Sequence, residues 1–335
     1  MATDIAKIIE SMLAEKGPLV LREMESVLPR DGIPNLYDAI WYHLETGGKR
    51  LRPVLAIVTC EALGCDSKKI LPFAAACELL HNWLLVHDDV EDGDTVRRDK
   101  PAVWVKYGLG HGVNIGDMMA QKVFELILNS QKKGVDEKTV FRLVKVMTNT
   151  AVRTSEGQAM DMNMRKSDSP TEKEYMEMVT LKTGYYFTVP MVGGAIVAKA
   201  GGDVVKKIID FGRLVGPAFQ ISDDLLDLTE GKGRGEIGAD IKEGKRSILV
   251  VHAAAKAGAA EKKKLFEILN KPREKTTKED VLWVKRLFEK HQSIKYARQK
   301  ADELVKKSRA ITKTLKPELR EILDYFADYV IKRKK

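Results

Sequence analysis

Cysteine is scarce in this sequence. Only Cys60, Cys65 and Cys77 occur in 335 residues, an odd count with no C-x-x-C pair. That excludes a disulfide framework or a thiolate zinc site as the organising principle and leaves free, mostly buried thiols in a reducing compartment. Long apolar runs are missing too. No stretch approaches the ~18 apolar residues of a membrane span, so no transmembrane segment is expected. The first residues, MATDIAKIIESMLAEKG, carry acids and no apolar leader core, so the expected location is the cytoplasm. Glycine and proline do not recur every ~8–12 residues, as a strand-rich fold would require. They gather instead at Pro29–Pro34, Gly108–Gly112, Lys166–Pro170, Glu230–Gly238 and Asn270–Thr277. There is no fixed-period repeat, which excludes a solenoid. No linker-like tract divides the chain, so one large domain over residues 1–335 is expected.

The charge is +9, but there is no RNP-like or zinc-finger pattern and no interleaving of basic with aromatic residues, which make up 7%. Nucleic acid is therefore not the expected partner. A basic protein of this kind also suits phosphorylated small molecules. The basic tail Ile331–Lys335 reads as a solvated end.

What is present reads as helix. Leu71–Val90 is apolar on most faces and predicts a buried helix. Val204–Leu228 predicts another, and Asp280–Leu304 a third, amphipathic one with exposed lysines. The fold class is all-α, a single large helical bundle whose interior can hold a cavity.

Two acidic clusters stand out. In His87-Asp88-Asp89-Val90-Glu91-Asp92, Asp88 and Asp92 are four apart and share a helix face; Asp223 and Asp227 repeat the spacing in FQISDDLLDL. Two unit charges ~4 Å apart repel by about 4 kcal/mol at an effective dielectric of ~20. No lysine or arginine lies one turn upstream of either cluster. Two Asp-Asp-x-x-Asp motifs, each ending an apolar helix, therefore need a cation. Carboxylate oxygens suit magnesium, which takes few protein ligands and completes its shell with water and phosphate oxygens.

Basic groups alternate with these clusters. Gly47-Gly48-Lys49-Arg50-Leu51-Arg52-Pro53 offers three cations after two glycines, and Arg97-Arg98, Lys182-Thr183 and Lys245-Arg246 add more. Glycine lets backbone approach an anion, and arginine grips phosphate with two parallel bonds. Four basic groups and two magnesium-type motifs suggest a site for two diphosphates.

The ordered set GGKRLRP (47–53), ELLHNWLLVHDDVEDGDTVRRDKP (78–101), NIGD (114–117), EGQAMD (156–161), LKTG (181–184), FQISDDLLD (219–227) and IGADIKEGKRS (237–247) resembles the trans-isoprenyl diphosphate synthase family over most of the chain. With Trp83, the first acidic motif looks most like that of archaeal geranylgeranyl diphosphate synthases. The resemblance implies a helical isoprenoid-synthase bundle with a central cavity, a homodimer, and Mg2+ as cofactor. It implies head-to-tail (1′-4) condensation of isopentenyl diphosphate with dimethylallyl, geranyl or farnesyl diphosphate to a short all-trans product. The expected product is geranylgeranyl diphosphate (C20), the alternatives being farnesyl (C15), C25 or a non-catalytic partner subunit. Asp88, Asp92 and Asp223 would hold the metal, with Asp89, Asp224 and Asp227 in support. Lys49, Arg52, His81 and Arg98 match positions that bind isopentenyl diphosphate. Arg97, Lys182, Thr183, Gln220 and Lys245 match positions around the allylic substrate, with Lys182, Thr183 and Gln220 stabilising the carbocation.

One departure is visible. The family carries a lysine four or five residues before the position of Asp240, where this chain has Glu236 and Gly235, with Lys232 or Arg234 as substitutes. Product length falls to the helix before Asp88. Trp83, five residues upstream, is the expected tunnel floor by its size and by the resemblance, with Leu80 a turn deeper; yet on the helical wheel Leu84 lies nearer the Asp88 face. Gln158 and Asp161 reach either the metal–diphosphate cluster or a neighbouring helix. His43, His111, His252 and His291 have no metal-like spacing and read as structural or surface residues, as do Asn114 and Asp117. A class I terpene cyclase is the rival, but it needs no second diphosphate pocket.

Overall fold

Leu71–Glu91 forms one uninterrupted helix because nothing in it opposes one. Pro72 stands in the first turn, where its missing N–H costs nothing, and alanines and leucines follow. The helix stops at Asp92 and Gly93, whose φ of 65° suits glycine. A computed structural model describes residues 5–229 and 237–332. The substitutes Lys232 and Arg234, with Gly235 and Glu236, lie outside the described residues.

Along the chain come α1 (Ile5–Glu25), α2 (Tyr37–Glu45), α3 (Leu51–Ala62) and α4 (Leu71–Glu91). A two-residue hairpin follows, β1 (Val96–Arg97) with β2 (Lys100–Pro101), antiparallel, pairing Val96 with Pro101 and Arg97 with Lys100. Then come α5 (Val103–Tyr107), α6 (Leu109–Leu128), α7 (Glu137–Met164), α8 (Glu172–Val179), α9 (Tyr185–Val197) and α10 (Gly202–Asp227). The last are α11 (Ala239–Lys242), α12 (Ile248–Lys256), α13 (Ala259–Leu269), α14 (Lys278–Lys290), α15 (Ser293–Thr312) and α16 (Pro317–Lys332). The chain is all-α, as expected.

Its contacts gather into two units, each built from separated segments. The first comprises residues 1–150, 186–210 and 312–326. Its axis is α4, packed by α1, α3 and α6. Phe73, Leu79 and Leu80 of α4 and Val54, Leu55 and Ile57 of α3 are sealed from water, each large side chain contributing about 1.5–3 kcal/mol. The second unit comprises residues 151–185, 211–311 and 327–335. In it α12 packs on α8 and α14, around Phe211, Ile248, Leu265 and Phe288. Capping boxes start α8 (Thr171 with Glu174) and α14 (Thr277 with Asp280).

Two expectations are corrected. The break at Gly108–Gly112 is confined to Gly108; Gly110 and Gly112 continue inside α6. The segment Asp280–Leu304 is two helices, because Gln292 takes a left-handed φ of 56° and turns the chain between α14 and α15. No glycine or proline announces that turn.

Candidate active site

The GGKRLRP segment leads into α3. Arg50 takes a left-handed φ of 51° and the helix starts at Leu51. The backbone turn leaves Lys49 exposed and buries Arg52. The Arg52 guanidinium lies 4.3 Å from the centroid of the Tyr186 ring. His81 of α4 stacks on the same ring, 6.1 Å between centroids and 9° between planes. Arg98 arrives from the hairpin turn, where Arg98 and Asp99 both have positive φ (52° and 60°), the geometry of a two-residue primed turn. Its guanidinium bonds the Gly47 carbonyl and, at 3.3 Å, the Thr46 hydroxyl. It fits because Gly48 has no side chain: a Cβ there would stand 2.8 Å from Arg98 Nη2. Arg52 and His81 thus share one ring, and Arg98 lies on the glycine loop that also carries Lys49. Beneath them Glu78 is buried. Burial pushes its carboxyl up, and the Arg52 and Arg98 charges pull it down. Asn82 Nδ2 donates to Glu78 Oε1 at 3.2 Å and to its carbonyl at 2.8 Å. Sequence reasoning missed Tyr186, Glu78 and Asn82; ELLHN offered only an i,i+4 polar pair on an apolar helix as a signal.

In the first acidic cluster the three aspartates differ. Asp88 and Asp92 are half-buried, and Asp89 is 1% exposed. Arg97 Nε donates to Asp89 Oδ1 at 2.8 Å, and Arg97 Nη2 bonds the same oxygen and, at 3.3 Å, Asp94 Oδ2. A cation does pair this cluster, then, from eight residues downstream instead of one turn upstream. Burial still lifts the Asp89 carboxyl to about 6 against the pull of Arg97. Asp89 Oδ2 is buried with no hydrogen-bond partner among the described residues. Arg97, expected against the allylic diphosphate, is 8% exposed and spends two nitrogens on these carboxylates.

In the second unit, α8 does not run directly into α9. Thr180–Gly184 forms one π-helical turn, which carries Lys182 and Thr183. Gly157 of EGQAMD makes room for it: a Cβ there would lie 2.2 Å from the Lys182 nitrogen. Lys182 Nζ donates to Asp161 Oδ2 at 2.7 Å, and Arg165 reaches the same oxygen at 3.4 Å. Asp161 thus takes the helix-to-helix option. Burial would raise its carboxyl, but Lys182, Lys245 and Arg165 outweigh burial and hold it at about 2. Thr183 Oγ1 donates to Gln220 Oε1 (2.8 Å), Gln220 Nε2 donates to Asp224 Oδ1 (3.0 Å), and the Tyr175 hydroxyl donates to Asp224 Oδ2 (2.7 Å). Gln220 therefore meets Asp224, one turn on along α10. Asp223 is half-buried, while Asp224 and Asp227 are buried. Asp227 Oδ2 accepts the Asp240 amide at 3.2 Å. Lys245 lies 2.5 Å from Glu243 and 3.6 Å from Asp240. Tyr175 was not foreseen. No group of three or more His, Cys, Asp or Glu side chains forms a ready metal cage among the described residues.

A family model described as polyprenyl synthetase matches residues 33–287. The chain belongs to the polyprenyl synthetase family. Like other members, this prenyl synthase is a prenyltransferase whose substrates are isopentenyl and allylic diphosphates. The chain is 36% identical over 312 residues to the geranylgeranyl diphosphate synthase of Saccharolobus solfataricus, covering 91% of this chain and 92% of that one. It is 34% identical over 328 residues to the short chain isoprenyl diphosphate synthase of Methanocaldococcus jannaschii, covering 96% of each. The crystal structure of geranylgeranyl pyrophosphate synthetase from Pyrococcus horikoshii superposes with a TM-score of 0.89 at 31% identity, covering 98% of this chain and 99% of that one. Synthases of this family generally use a divalent metal. No helix among the described residues is long and apolar enough to cross a membrane.

Proposed function

We propose that this chain makes geranylgeranyl diphosphate (C20) by repeated 1′-4 condensation of isopentenyl diphosphate with allylic diphosphates. The single observation that carries the reading is the cradle of Lys49, Arg52, His81 and Arg98, a second diphosphate site that simple ionisation of one substrate would not need. The product length rests on the likeness to synthases named for that product and on Trp83.

Isopentenyl diphosphate sits on Lys49, Arg52, His81 and Arg98, with Tyr186 holding Arg52 and His81. Burial and the surrounding arginines keep His81 well below its usual pKa, so it meets the diphosphate as a neutral hydrogen-bond donor. Lys182 and Lys245 bind the allylic diphosphate, and Arg97 serves that substrate chiefly by fixing Asp89. The donor set fits magnesium: half-buried hard carboxylates, Asp88 with Asp92 and Asp223, supported by the buried Asp89, Asp224 and Asp227. When bound, magnesium stabilises negative charge on the departing diphosphate. The chain's own groups do the rest. Thr183 and the Gln220 amide oxygen, pre-oriented by the run to Asp224 and Tyr175, present oxygen lone pairs to the allylic carbocation. The isopentenyl double bond attacks that cation, and the proton lost goes to the released diphosphate. Trp83, with Leu84 and Leu80, closes the tunnel along α4.

We read residues 1–335 as a single synthase domain acting as a cytoplasmic homodimer. The test is incubation of the purified chain with labelled isopentenyl diphosphate and each allylic primer, followed by sizing of the products. C20 as the end product is expected; products formed without isopentenyl diphosphate would instead mark a terpene cyclase.

A further inference from the structure

Trp83 and His87 stand one turn apart on α4. Trp83 Nε1 donates to His87 Nδ1 at 3.1 Å. An indole N–H can only donate, so His87 Nδ1 carries no proton and the ring proton sits on Nε2. That nitrogen lies 3.2 Å from the carbonyl oxygen of Val113 on α6, which can only accept. Both contacts require the same neutral tautomer. Asp117 Oδ1 is 3.7 Å from the same nitrogen. The imidazole can reach α6 only because residue 116 is glycine: a Cβ there would lie 2.0 Å from His87 Nε2. The two rings meet edge-on, 6.2 Å between centroids and 79° between planes.

Gly116 of the NIGD motif thereby acquires a purpose. Val113 and Gly116 form a seat for His87, and His87 holds the indole through its only polar atom. We infer that His87, seated over Gly116, is a positioning residue for product length: it locks the Trp83 side chain in the orientation that closes the product tunnel. The inference rests on the reading of Trp83 as the tunnel floor. An elongating prenyl chain gains by burying each further CH2 and so presses on whatever blocks it. A tryptophan free to change rotamer gives way. One tethered through its N–H to a ring that is itself anchored on a second helix does not.

The experiment reads the ratio of C25 and longer to C20 products at matched conversion, since His87 adjoins Asp88 and total turnover is a poor guide. Trp83→Ala lengthens the products. His87→Leu keeps bulk but offers no acceptor, and raises the ratio roughly fivefold, the effect of losing one hydrogen bond. His87→Asn places an amide oxygen near the site of Nδ1 and holds the ratio at the wild-type value. Trp83→Phe, which keeps a ring and loses the N–H, raises the ratio even if the His87 variants fail to fold. The pair Trp83→Ala with His87→Leu makes products no longer than Trp83→Ala alone. If Trp83→Ala lengthens products while His87→Leu and Trp83→Phe leave the ratio unchanged, the positioning role is overturned and the floor stands. If His87→Asn raises the ratio as much as His87→Leu, His87 only packs, and the inference is again overturned. If Trp83→Ala keeps the C20 product, the floor reading fails and the inference fails with it.

Discussion

His43 is sealed inside the first unit at 1% exposure. Burial, aided by the charges of Arg98 and Arg97, lowers its pKa to about 3. The folded value lies below the unfolded one of ~6.5, so below that pH the unfolded chain takes up a proton that the fold refuses. The histidine part of the stability is therefore complete above about pH 6.5 and falls by up to about 1.4 kcal/mol per pH unit for each such histidine as pH drops toward 3, opposed between about pH 6 and 4 by Asp89, whose carboxyl burial lifts to about 6. His81 acts in the same direction. Asp161, held at about 2, adds a further loss as pH falls from ~3.9 through that value. Urea unfolding between pH 7 and 4 should show this slope, and His43→Leu should flatten it. The two neighbouring arginines should separate cleanly. Arg98→Ala removes a cradle cation and should raise the Michaelis constant for isopentenyl diphosphate about 10–100-fold, as loss of hydrogen bonds to a charged group does. Arg97→Ala strips the partner from buried Asp89 and should cost about 3–5 kcal/mol of stability, as well as raising the allylic Michaelis constant. Adding Asp89→Asn should recover stability but not activity; equal melting curves for all three variants would contradict the pairing.

Among the elements, the π turn at Thr180–Gly184 is the one on which the chemistry depends most. It exists because Gly157 lets α7 approach the backbone of Lys182. Gly157→Ala should displace Lys182 and Thr183 by a fraction of an ångström or more, and lower kcat about 100-fold with helical circular dichroism retained. Wild-type kcat in that variant would show that the turn tolerates displacement. The turn between α14 and α15 is a different case, since it carries none of the site residues. Gln292 holds a left-handed φ there, which costs a non-glycine residue roughly 1–2 kcal/mol, while glycine costs about 0.5–1 kcal/mol in chain entropy. Gln292→Gly should raise stability by up to about 1 kcal/mol without changing turnover.

At the scale of the molecule, the two units interleave along the chain, each taking three segments. No single cut in the sequence releases either one. One cooperative unfolding transition, coincident by near- and far-ultraviolet circular dichroism, is the expected behaviour of a single synthase domain; two separated transitions would divide it. The acidic clusters belong to different units, Asp88–Asp92 to the first and Asp223–Asp227 to the second. Loss of either should abolish activity alone. Asp88→Ala and Asp223→Ala should each lower turnover by orders of magnitude with helix content intact, and excess chelator should do the same to the wild type. Full activity in chelator would sink the metal assignment.

The helical class, the long apolar helix before Asp88 and the order of the basic and acidic motifs were legible in the sequence, because helix period and charge repulsion act between residues within a few positions of one another. The resemblance named Lys49, Arg52, His81 and Arg98 as one group, and the structure sets Arg52 and His81 on the Tyr186 ring and Arg98 on the glycine loop that carries Lys49. Other features had no local signature. The turn at Gln292 has neither glycine nor proline, and the π turn looks like ordinary helix. That Asp89 is sealed against Arg97, and Asp224 against Tyr175 and Gln220, while Asp88, Asp92 and Asp223 stay half-open, depends on partners as far apart as 49 residues. The sequence by itself determined that six aspartates would be concentrated on two helix ends. Only the tertiary structure decided which of them are sealed and which stay half-exposed, because burial is set by what packs over a side chain and not by its neighbours in the chain.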